Sequence, residues 1–253
     1  PRWSSAWWQY QISNRFHLKG DQQRFLRPLK GRLQDIQAAF SIGGDGYAID
    51  DGHFIVDHLV IMDNYLKAYG IPLVIWGASI GPFDQEPEFE RQMAQHLSRI
   101  DLVVVREPVS LAYLHRLGVV ENVCLAPDPA FVLDPVPCDL PDEVTRLLVN
   151  PCLGVNLSPL IATYVTGHNL RPAIALAVGI LEQLLTQTGL PLILISHVTS
   201  PKYDPRLDDD LFLRGVYSAL PSALTQRVAV VPRGLSSANL KWIIGRTTAF
   251  IGA

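Results

Sequence analysis

A small set of side chains and glycines stands where this sequence could bind an anionic ligand, at or just after the end of a short apolar run. They are the glycine turn Gly43-Gly44-Asp45, Ser79, Arg106, Ser158, His197 and Arg233. An arginine presents a planar fork of N–H donors that matches a carboxylate or a phosphate. Glycines let backbone N–H groups approach an anion closely, and a following helix adds a favourable dipole. The set therefore predicts a site for a small dianionic ligand, such as a phosphate ester or a carboxylate.

Each candidate also has a purely structural interpretation. Arg106 is followed by Glu107 and could form a surface ion pair, although its place at a strand end favours a functional role. Asp45 could cap the turn and His197 could be a hydrogen-bonded core residue, and both alternatives stay open. Ser158 precedes a proline, a pattern typical of a helix cap.

Other polar residues are assigned structural roles. Asp128 lies between prolines and is interpreted as a turn former. The acidic run 208–210 is expected to begin a helix, where negative charge is favourable. The remaining histidines fall on predicted helices or loops and are expected at the surface; among them are His53, His58, His96, His115 and His168.

Composition excludes several classes of protein. The 253 residues are 48% hydrophobic and 18% charged, with a net charge of −3, which is typical of a soluble globular protein and argues against a nucleic-acid surface.

Cys124, Cys138 and Cys152 are too few and too far apart for a disulfide framework or a paired-cysteine metal site, so we expect reduced thiols in a cytoplasmic protein. No HExxH motif occurs, and no apolar run reaches the roughly 20 residues of a membrane span. We predict neither a metal nor a cofactor.

Short apolar runs alternate with longer helical patterns along the whole chain. Strands are predicted at 36–42, 71–76, 102–105, 122–125, 153–157, 191–195, 227–231 and 248–251. Helices are predicted at 56–69, 86–99, 108–117, 171–188, 208–219 and between Ser236 and Gly245. This order predicts an α/β fold with two Rossmann-like domains, whose parallel sheets are covered on both faces. In such sheets ligands bind outside the carboxyl ends of the strands, which is where the candidate residues lie.

A proline-rich segment divides the predicted elements into two halves. We predict an N-terminal domain at 1–135, a linker with a connecting helix at 136–150 and a C-terminal domain at 151–253. The chain begins without methionine and stops directly after the last predicted strand. We therefore expect a fragment whose C-terminal domain is incomplete.

Seven segments, in this order, resemble the polysaccharide pyruvyl transferase family. They are SIGGDGYAIDDG (41–52), GASIGPF (77–83), VVREPVSLAYLHRLGV (104–119), APDPAFVLDP (126–135), GVNLSP (154–159), LILISHV (192–198) and LKWIIGRTTAFIGA (240–253). The resemblance implies a fold similar to the GT-B glycosyltransferases. It also implies transfer of the pyruvyl group of phosphoenolpyruvate onto a sugar, with the sugar or a lipid-linked saccharide as acceptor and peripheral membrane association through that acceptor.

The resemblance also implies roles for single residues. Arg106 matches a donor clamp, the glycine turn matches one that faces the ligand, and Ser158 and His197 match strand-end positions on the acceptor or phosphate side. We therefore expect Arg106 and His197 to be catalytic. The expected substrate-binding residues are Gly43, Gly44, Asp45, Ser79 and Ser158.

The family also carries an Arg-x-His motif directly after its "FIGA" strand, and the present sequence stops at that point. We expect the 253-residue chain to be inactive or severely impaired for this reason. Two alternatives stay open from the sequence: a GT-B nucleotide-sugar glycosyltransferase, and a non-catalytic binding protein that has lost the C-terminal motif.

Overall fold

The chain divides into two compact units, each built on one parallel sheet. The computed structural model describes residues 26, 31–49, 53–200, 204 and 206–252. The N-terminal unit comprises Pro1–Val132 and the C-terminal unit Leu133–Ala253, and each has a four-stranded parallel sheet. The predicted α/β class is therefore confirmed. The domain boundaries at 135 and 150 stay predictions, and residues 50–52 of the first motif lie outside the described part.

The N-terminal unit alternates strands and helices in the predicted order. Its elements are β1 (Ala39–Ile42), α1 (Phe54–Ala68), β2 (Leu73–Ala78), α2 (Pro87–Leu97), β3 (Leu102–Val105), α3 (Pro108–Arg116) and β4 (Val123–Leu125), with 3₁₀ turns at Leu33–Asp35 and Pro129–Val132. Pro87 and Pro108 occupy first helical positions, where the fixed φ of proline suits a helix and its missing N–H has no cost. The strands lie in the sheet in sequence order, β1-β2-β3-β4.

The described helices of this unit pack on one face of the sheet. Consecutive strand order with right-handed crossovers requires this arrangement. One hydrophobic cluster accordingly joins side chains of α1, α2 and α3 to alternate residues of β2 and β3, including Ile75 and Val103. On the opposite face Phe40 contacts Trp76 and is itself 55% exposed. Val104 on that face is only 3% exposed, but no described helix of this unit packs there, so the expected cover by helices on both faces is not found in the described part.

A β-bulge interrupts the pairing of β2 with β3. Trp76 pairs with Val104 and Ala78 pairs with Val105, so Gly77 is an extra residue on β2. Its φ is +73°, and a side chain there would meet the ring of Pro129. Glycine is required at this position for both reasons.

The C-terminal unit contains the remaining described elements. They are α4 (Asp142–Leu148), β5 (Leu153–Val155), α5 (Pro159–Val165), α6 (Leu170–Thr188), β6 (Leu192–Leu194), α7 (Asp209–Ala219), α8 (Ser222–Thr225), β7 (Val228–Val230), α9 (Ser237–Ile244) and β8 (Ala249–Ile251). The short helices α5 and α8 were not predicted. Ser236 begins α9 with a capping box, and Gly189 ends α6 in the left-handed conformation, as the sequence indicated.

Both faces of the C-terminal sheet are covered, as predicted. One cluster packs α6 and α7 against Val155, Leu194 and their neighbours. A second cluster packs α4 and α9 against Ile193 and Ala229, which point to the other face. The strand order is β7-β6-β5-β8, so the direction of winding reverses between β5 and β8. The carboxyl ends of these two strands form a topological switch point, where open α/β sheets bind ligands.

Candidate functional site

Arg106 is the centre of the polar cluster at the carboxyl end of the N-terminal sheet. It directly follows β3, and its Nε donates a hydrogen bond to Ser79 Oγ at 3.0 Å. Its Nη1 donates to Asp128 Oδ2 at 2.9 Å, and its side chain is 32% exposed. A guanidinium has five N–H groups. No described residue accepts a hydrogen bond from the other three, so Arg106 is held in place with donors to spare.

The glycine turn lies directly against this guanidinium. A Cβ atom at Gly44 would be 3.0 Å from both Nη1 and Nη2 of Arg106. The carbonyl of Gly44 also accepts a hydrogen bond from the backbone N–H of Ser79. A side chain at position 44 would push against the guanidinium, so the two predicted residues lie in direct contact. No described atom would lie within 4 Å of a Cβ at Gly43.

Two carboxylates hold the parts of this cluster together. Asp128 Oδ1 accepts from the N–H of Ala130 at 2.8 Å, which confirms its predicted role in a turn. This bond and the one from Arg106 lower the pKa of Asp128. Hydrogen bonds from Ser79 and Ser110 lower the pKa of Glu107. The hydrogen-bonded carboxylate partner of Arg106 is therefore Asp128, and the predicted alternative of an Arg106–Glu107 surface pair is not what the structure shows.

A cleft of about 540 Å³ opens beside Arg106. Most of its lining is apolar, and its charged groups come from three residues; the lining includes Arg106, Glu107, Asp128, Leu125, Pro127 and Phe131. Asp45, in contrast, is exposed, and its carboxylate makes no hydrogen bond to any described residue. The cleft can therefore receive a small ligand with an anionic group at Arg106 and an apolar portion against Leu125 or Phe131.

The structure places His96 differently from the sequence analysis, which expected it at the surface. It is only 4% exposed, and its Nε2 lies 3.0 Å from Oδ2 of the buried Asp63. The prediction was wrong because His96 shares a helix face with Met93 and stands beside Leu97, both of which are buried. The spacing of these apolar neighbours is the signal that could have shown it.

In the C-terminal unit, Ser158 follows β5 beside the switch point. It occupies the N-cap position of α5, and its carbonyl accepts from Ala162 N at 3.0 Å. Its hydroxyl makes no capping hydrogen bond. The predicted cap is therefore present in the backbone only, and the hydroxyl is not used by the helix.

His197 follows β6 and is exposed. The alternative that it is a core histidine is therefore wrong. Its backbone N–H donates to Asp209 Oδ2 at 2.9 Å, and its ring lies 5.5 Å from the ring of Phe250 on β8. The backbone is fixed while the imidazole stays accessible, which suits a group that exchanges protons.

Asp209 was not predicted as part of this site. The acidic run does begin a helix as expected, but its three carboxylates are buried instead of solvated. Oδ2 of Asp209 accepts from the N–H groups of His197 and Val198 and from Asn156 Nδ2, each at about 3 Å. Asp209 therefore ties the carboxyl ends of β5 and β6 to the start of α7.

The sequence analysis placed Arg233 among the residues that could bind an anionic ligand, but in the structure its guanidinium is paired with a buried carboxylate. Its Nη1 and Nη2 donate to the two oxygens of Asp208 at 3.0 and 2.8 Å, and Asp208 is fully buried. Burial alone would raise the pKa of Asp208, but its hydrogen bonds, that from Arg233 foremost, lower it. The arginine therefore has a structural partner.

The predicted residues thus fall into two groups, one in each unit. Gly44, Ser79 and Arg106 are in direct contact in the N-terminal unit, whereas Ser158 and His197 end neighbouring strands of the C-terminal sheet. Among the described residues, no group of three or more His, Cys, Asp or Glu side chains could hold a metal ion. None of the described helices is long and apolar enough to cross a bilayer.

Comparison with known families gives one match that spans nearly the whole chain. The family described as polysaccharide pyruvyl transferase matches residues 2–253. No curated protein matches the sequence.

Proposed function

Because the chain belongs to the polysaccharide pyruvyl transferase family, we propose that its donor is phosphoenolpyruvate and its acceptor a sugar of a cell-surface polysaccharide or of its lipid-linked precursor. The observation that supports this most directly is the geometry of Arg106. Ser79 and Asp128 hold its guanidinium beside Gly44, and no described residue accepts a hydrogen bond from its other three N–H groups. Phosphoenolpyruvate carries a carboxylate and a phosphate ester on the same carbon atom, C2, and a guanidinium binds either group through two parallel hydrogen bonds.

The proposed reaction needs an acid, a base and stabilisation of anionic groups. A proton is added to the methylene carbon of the donor, and the electron pair of the C=C bond forms the new C–H bond, which leaves C2 electrophilic. A sugar hydroxyl oxygen attacks C2, loses its proton, and the C2–O bond to phosphate breaks with its electrons leaving on phosphate. Departure of phosphate makes C2 electrophilic again, and a second sugar hydroxyl attacks C2, releases its proton to the phosphate or to a base, and closes the cyclic ketal. Arg106 would stabilise the donor and the departing phosphate.

The C-terminal unit carries two further candidate residues, each proposed from its own surroundings. His197 is the candidate for proton transfer, because its ring is exposed while its backbone is fixed by Asp209. Ser158 offers a hydroxyl beside the switch point of the sheet, where a saccharide or phosphate would bind. We place the reaction in the cytoplasm, in agreement with the free thiols of all three cysteines.

The donor can be tested directly by calorimetric titration of the chain with phosphoenolpyruvate, UDP-sugars and GDP-sugars. We expect phosphoenolpyruvate to bind and the nucleotide sugars not to bind, because the site offers one anchored guanidinium and a small cleft. Binding of a sugar nucleotide without binding of phosphoenolpyruvate would instead favour the glycosyltransferase alternative. Binding of neither would favour the non-catalytic one.

A lipid-linked acceptor would bring the protein to a membrane surface, and α5 has the composition for that contact. Leu160, Ile161, Tyr164 and Val165 are each more than half exposed on this helix. No acidic residue occurs between Glu143 and Glu182, while Arg171 lies shortly after the helix. Exposed aliphatic and tyrosine side chains near an arginine suit the interface of an anionic bilayer.

We expect the double variant Leu160→Ser/Ile161→Ser to bind vesicles of phosphatidylglycerol and phosphatidylcholine about tenfold more weakly than the unaltered chain, because it loses apolar area that inserts among the lipids. Co-sedimentation measures the bound fraction. Val109→Ser is the matched control, since Val109 is an exposed aliphatic residue of the N-terminal unit. Equal loss of binding in both proteins would contradict the assignment of α5.

A further inference from the structure

A buried polar cluster lies behind the glycine turn and takes no part in the proposed chemistry. Oδ2 of Asp63 accepts a hydrogen bond from the hydroxyl of Tyr47 at 2.9 Å and lies 3.0 Å from Nε2 of His96. The hydroxyl of Ser41 lies 3.0 Å from that of Tyr47. Asp63, Tyr47 and His96 are all less than 5% exposed.

The cluster joins four elements of the N-terminal unit. Ser41 is in β1, Tyr47 follows the glycine turn, Asp63 is in the middle of α1 and His96 is near the end of α2. Burial and the nearby carboxylate of Asp63 both raise the pKa of Tyr47, so its hydroxyl stays protonated and remains a donor. The position of the Tyr47 side chain is therefore set by a directional bond and by packing together.

The backbone of Tyr47 is bonded to the segment that holds Arg106. Its carbonyl accepts from the N–H of Gly81 at 2.9 Å, and it forms a parallel bridge with Ile80. Three residues earlier, the carbonyl of Gly44 accepts from the N–H of Ser79, whose hydroxyl accepts from Arg106. A shift of Tyr47 would thus move the same loop segment that holds the guanidinium.

Packing alone does not require these polar groups. A buried carboxylate is expensive to desolvate, and well-packed apolar residues of similar volume usually stabilise a core at least as well. What the hydrogen bonds add is a fixed direction, which hydrophobic contacts do not provide. Such a fixed orientation matters where a protein group must be positioned against a ligand to well below 1 Å.

We propose that Asp63, with Tyr47 and His96, is a positioning residue of the donor site: it fixes the glycine turn so that Gly44 and Ser79 hold Arg106 in its binding geometry. The inference rests on the proposed function for its effect on phosphoenolpyruvate. Its effect on the loop is independent of any ligand.

The first measurement is amide hydrogen exchange in the near-isosteric variant Tyr47→Phe, without ligand. We expect the N–H groups of Ser79 and Gly81 to exchange about tenfold faster, because their acceptors lie in the segment that Tyr47 fixes. Amides of β3 should be unchanged. Val119→Ala is the control, since it removes buried apolar volume from the same core cluster. If Ser79 and Gly81 respond equally in both variants, or do not respond in Tyr47→Phe, the proposal is overturned.

The second measurement is a double-mutant cycle on phosphoenolpyruvate binding with Tyr47→Phe and Arg106→Gln. We expect Tyr47→Phe alone to weaken binding about tenfold and to have almost no further effect once Arg106 is replaced, since it acts through that residue. Asp63→Asn, which keeps an acceptor oxygen, should bind more tightly than Asp63→Leu. Multiplicative effects in the cycle would refute the positioning role. Failure of Arg106→Gln to weaken binding would refute the proposed function instead, and the exchange experiment would then decide on the loop.

Discussion

Replacing Arg106 with glutamine is expected to weaken phosphoenolpyruvate binding about 100-fold, which corresponds to about 2.7 kcal/mol. The guanidinium is the cation that the described N-terminal site presents to the cleft, and its bonds to Ser79 and Asp128 hold it there before the ligand arrives. A guanidinium that is already held in its binding geometry loses little conformational entropy when the ligand binds. Its removal should therefore reduce the binding free energy by nearly the full value of its interaction with the ligand. Calorimetric titration of the variant and the parent chain gives the two dissociation constants.

Two further variants make this result specific. Arg106→Lys keeps the charge but not the fork of donors, so we expect an intermediate affinity. Asp128→Asn removes the carboxylate that partly neutralises Arg106, and it should not weaken binding of an anionic donor. If Arg106→Gln binds phosphoenolpyruvate as tightly as the parent chain, Arg106 has no place in the donor site.

Replacing Asp209 with alanine is expected to destabilise the C-terminal unit by about 3 kcal/mol. The side chain is 3% exposed, and one of its oxygens is the acceptor for Asn156 and for the N–H groups of His197 and Val198. Alanine would leave the buried Nδ2 of Asn156 and the two partly buried N–H groups without that acceptor. Native-state hydrogen exchange at the amides of β6, followed through a urea series, measures the free energy of unfolding.

The matched control is Asp204→Ala. Asp204 also pairs with an arginine, Arg206, but this pair is on the surface, and we expect no measurable change in the same experiment. Asp209→Asn keeps one acceptor oxygen and should lose less stability than Asp209→Ala. A loss below about 1 kcal/mol for Asp209→Ala would mean that water replaces the carboxylate and that the fold does not depend on it.

The sequence predicted those parts of the site that depend on local pattern. The run Leu102–Val105 followed by Arg106 specifies both a buried strand and the charged residue at its carboxyl end, because parallel strands read as continuous apolar runs. The glycine turn could be assigned to the same edge of the sheet for the same reason. Helix ends with a local signal, such as the cap at Ser236 and the glycine at 189, were likewise predictable.

The parts that were missed depend on contacts between residues far apart in the chain. Asp128 pairs with Arg106 across 22 residues, and Asp63 meets Tyr47 and His96 across 16 and 33 residues. No spacing rule relates such positions, because the partners meet only when separate helices and strands pack. The burial of Asp209 was missed for a related reason: an acidic run at a helix start usually faces solvent, and only the fold shows that loop amides surround it.

The extra residue at Gly77 determines to which face of the sheet the side chains of Ala78 and Ser79 point. Side chains alternate along a strand, and one inserted residue reverses the alternation beyond it. Ala78 is therefore buried against the helices, and the next position presents its hydroxyl to Arg106. Deletion of Gly77 would reverse the direction of every side chain after it. Strand β2 could still pair with β3, but the hydroxyl of Ser79 would point away from Arg106. A homologue without this extra residue would need a different hydrogen-bond acceptor to hold the arginine that corresponds to Arg106.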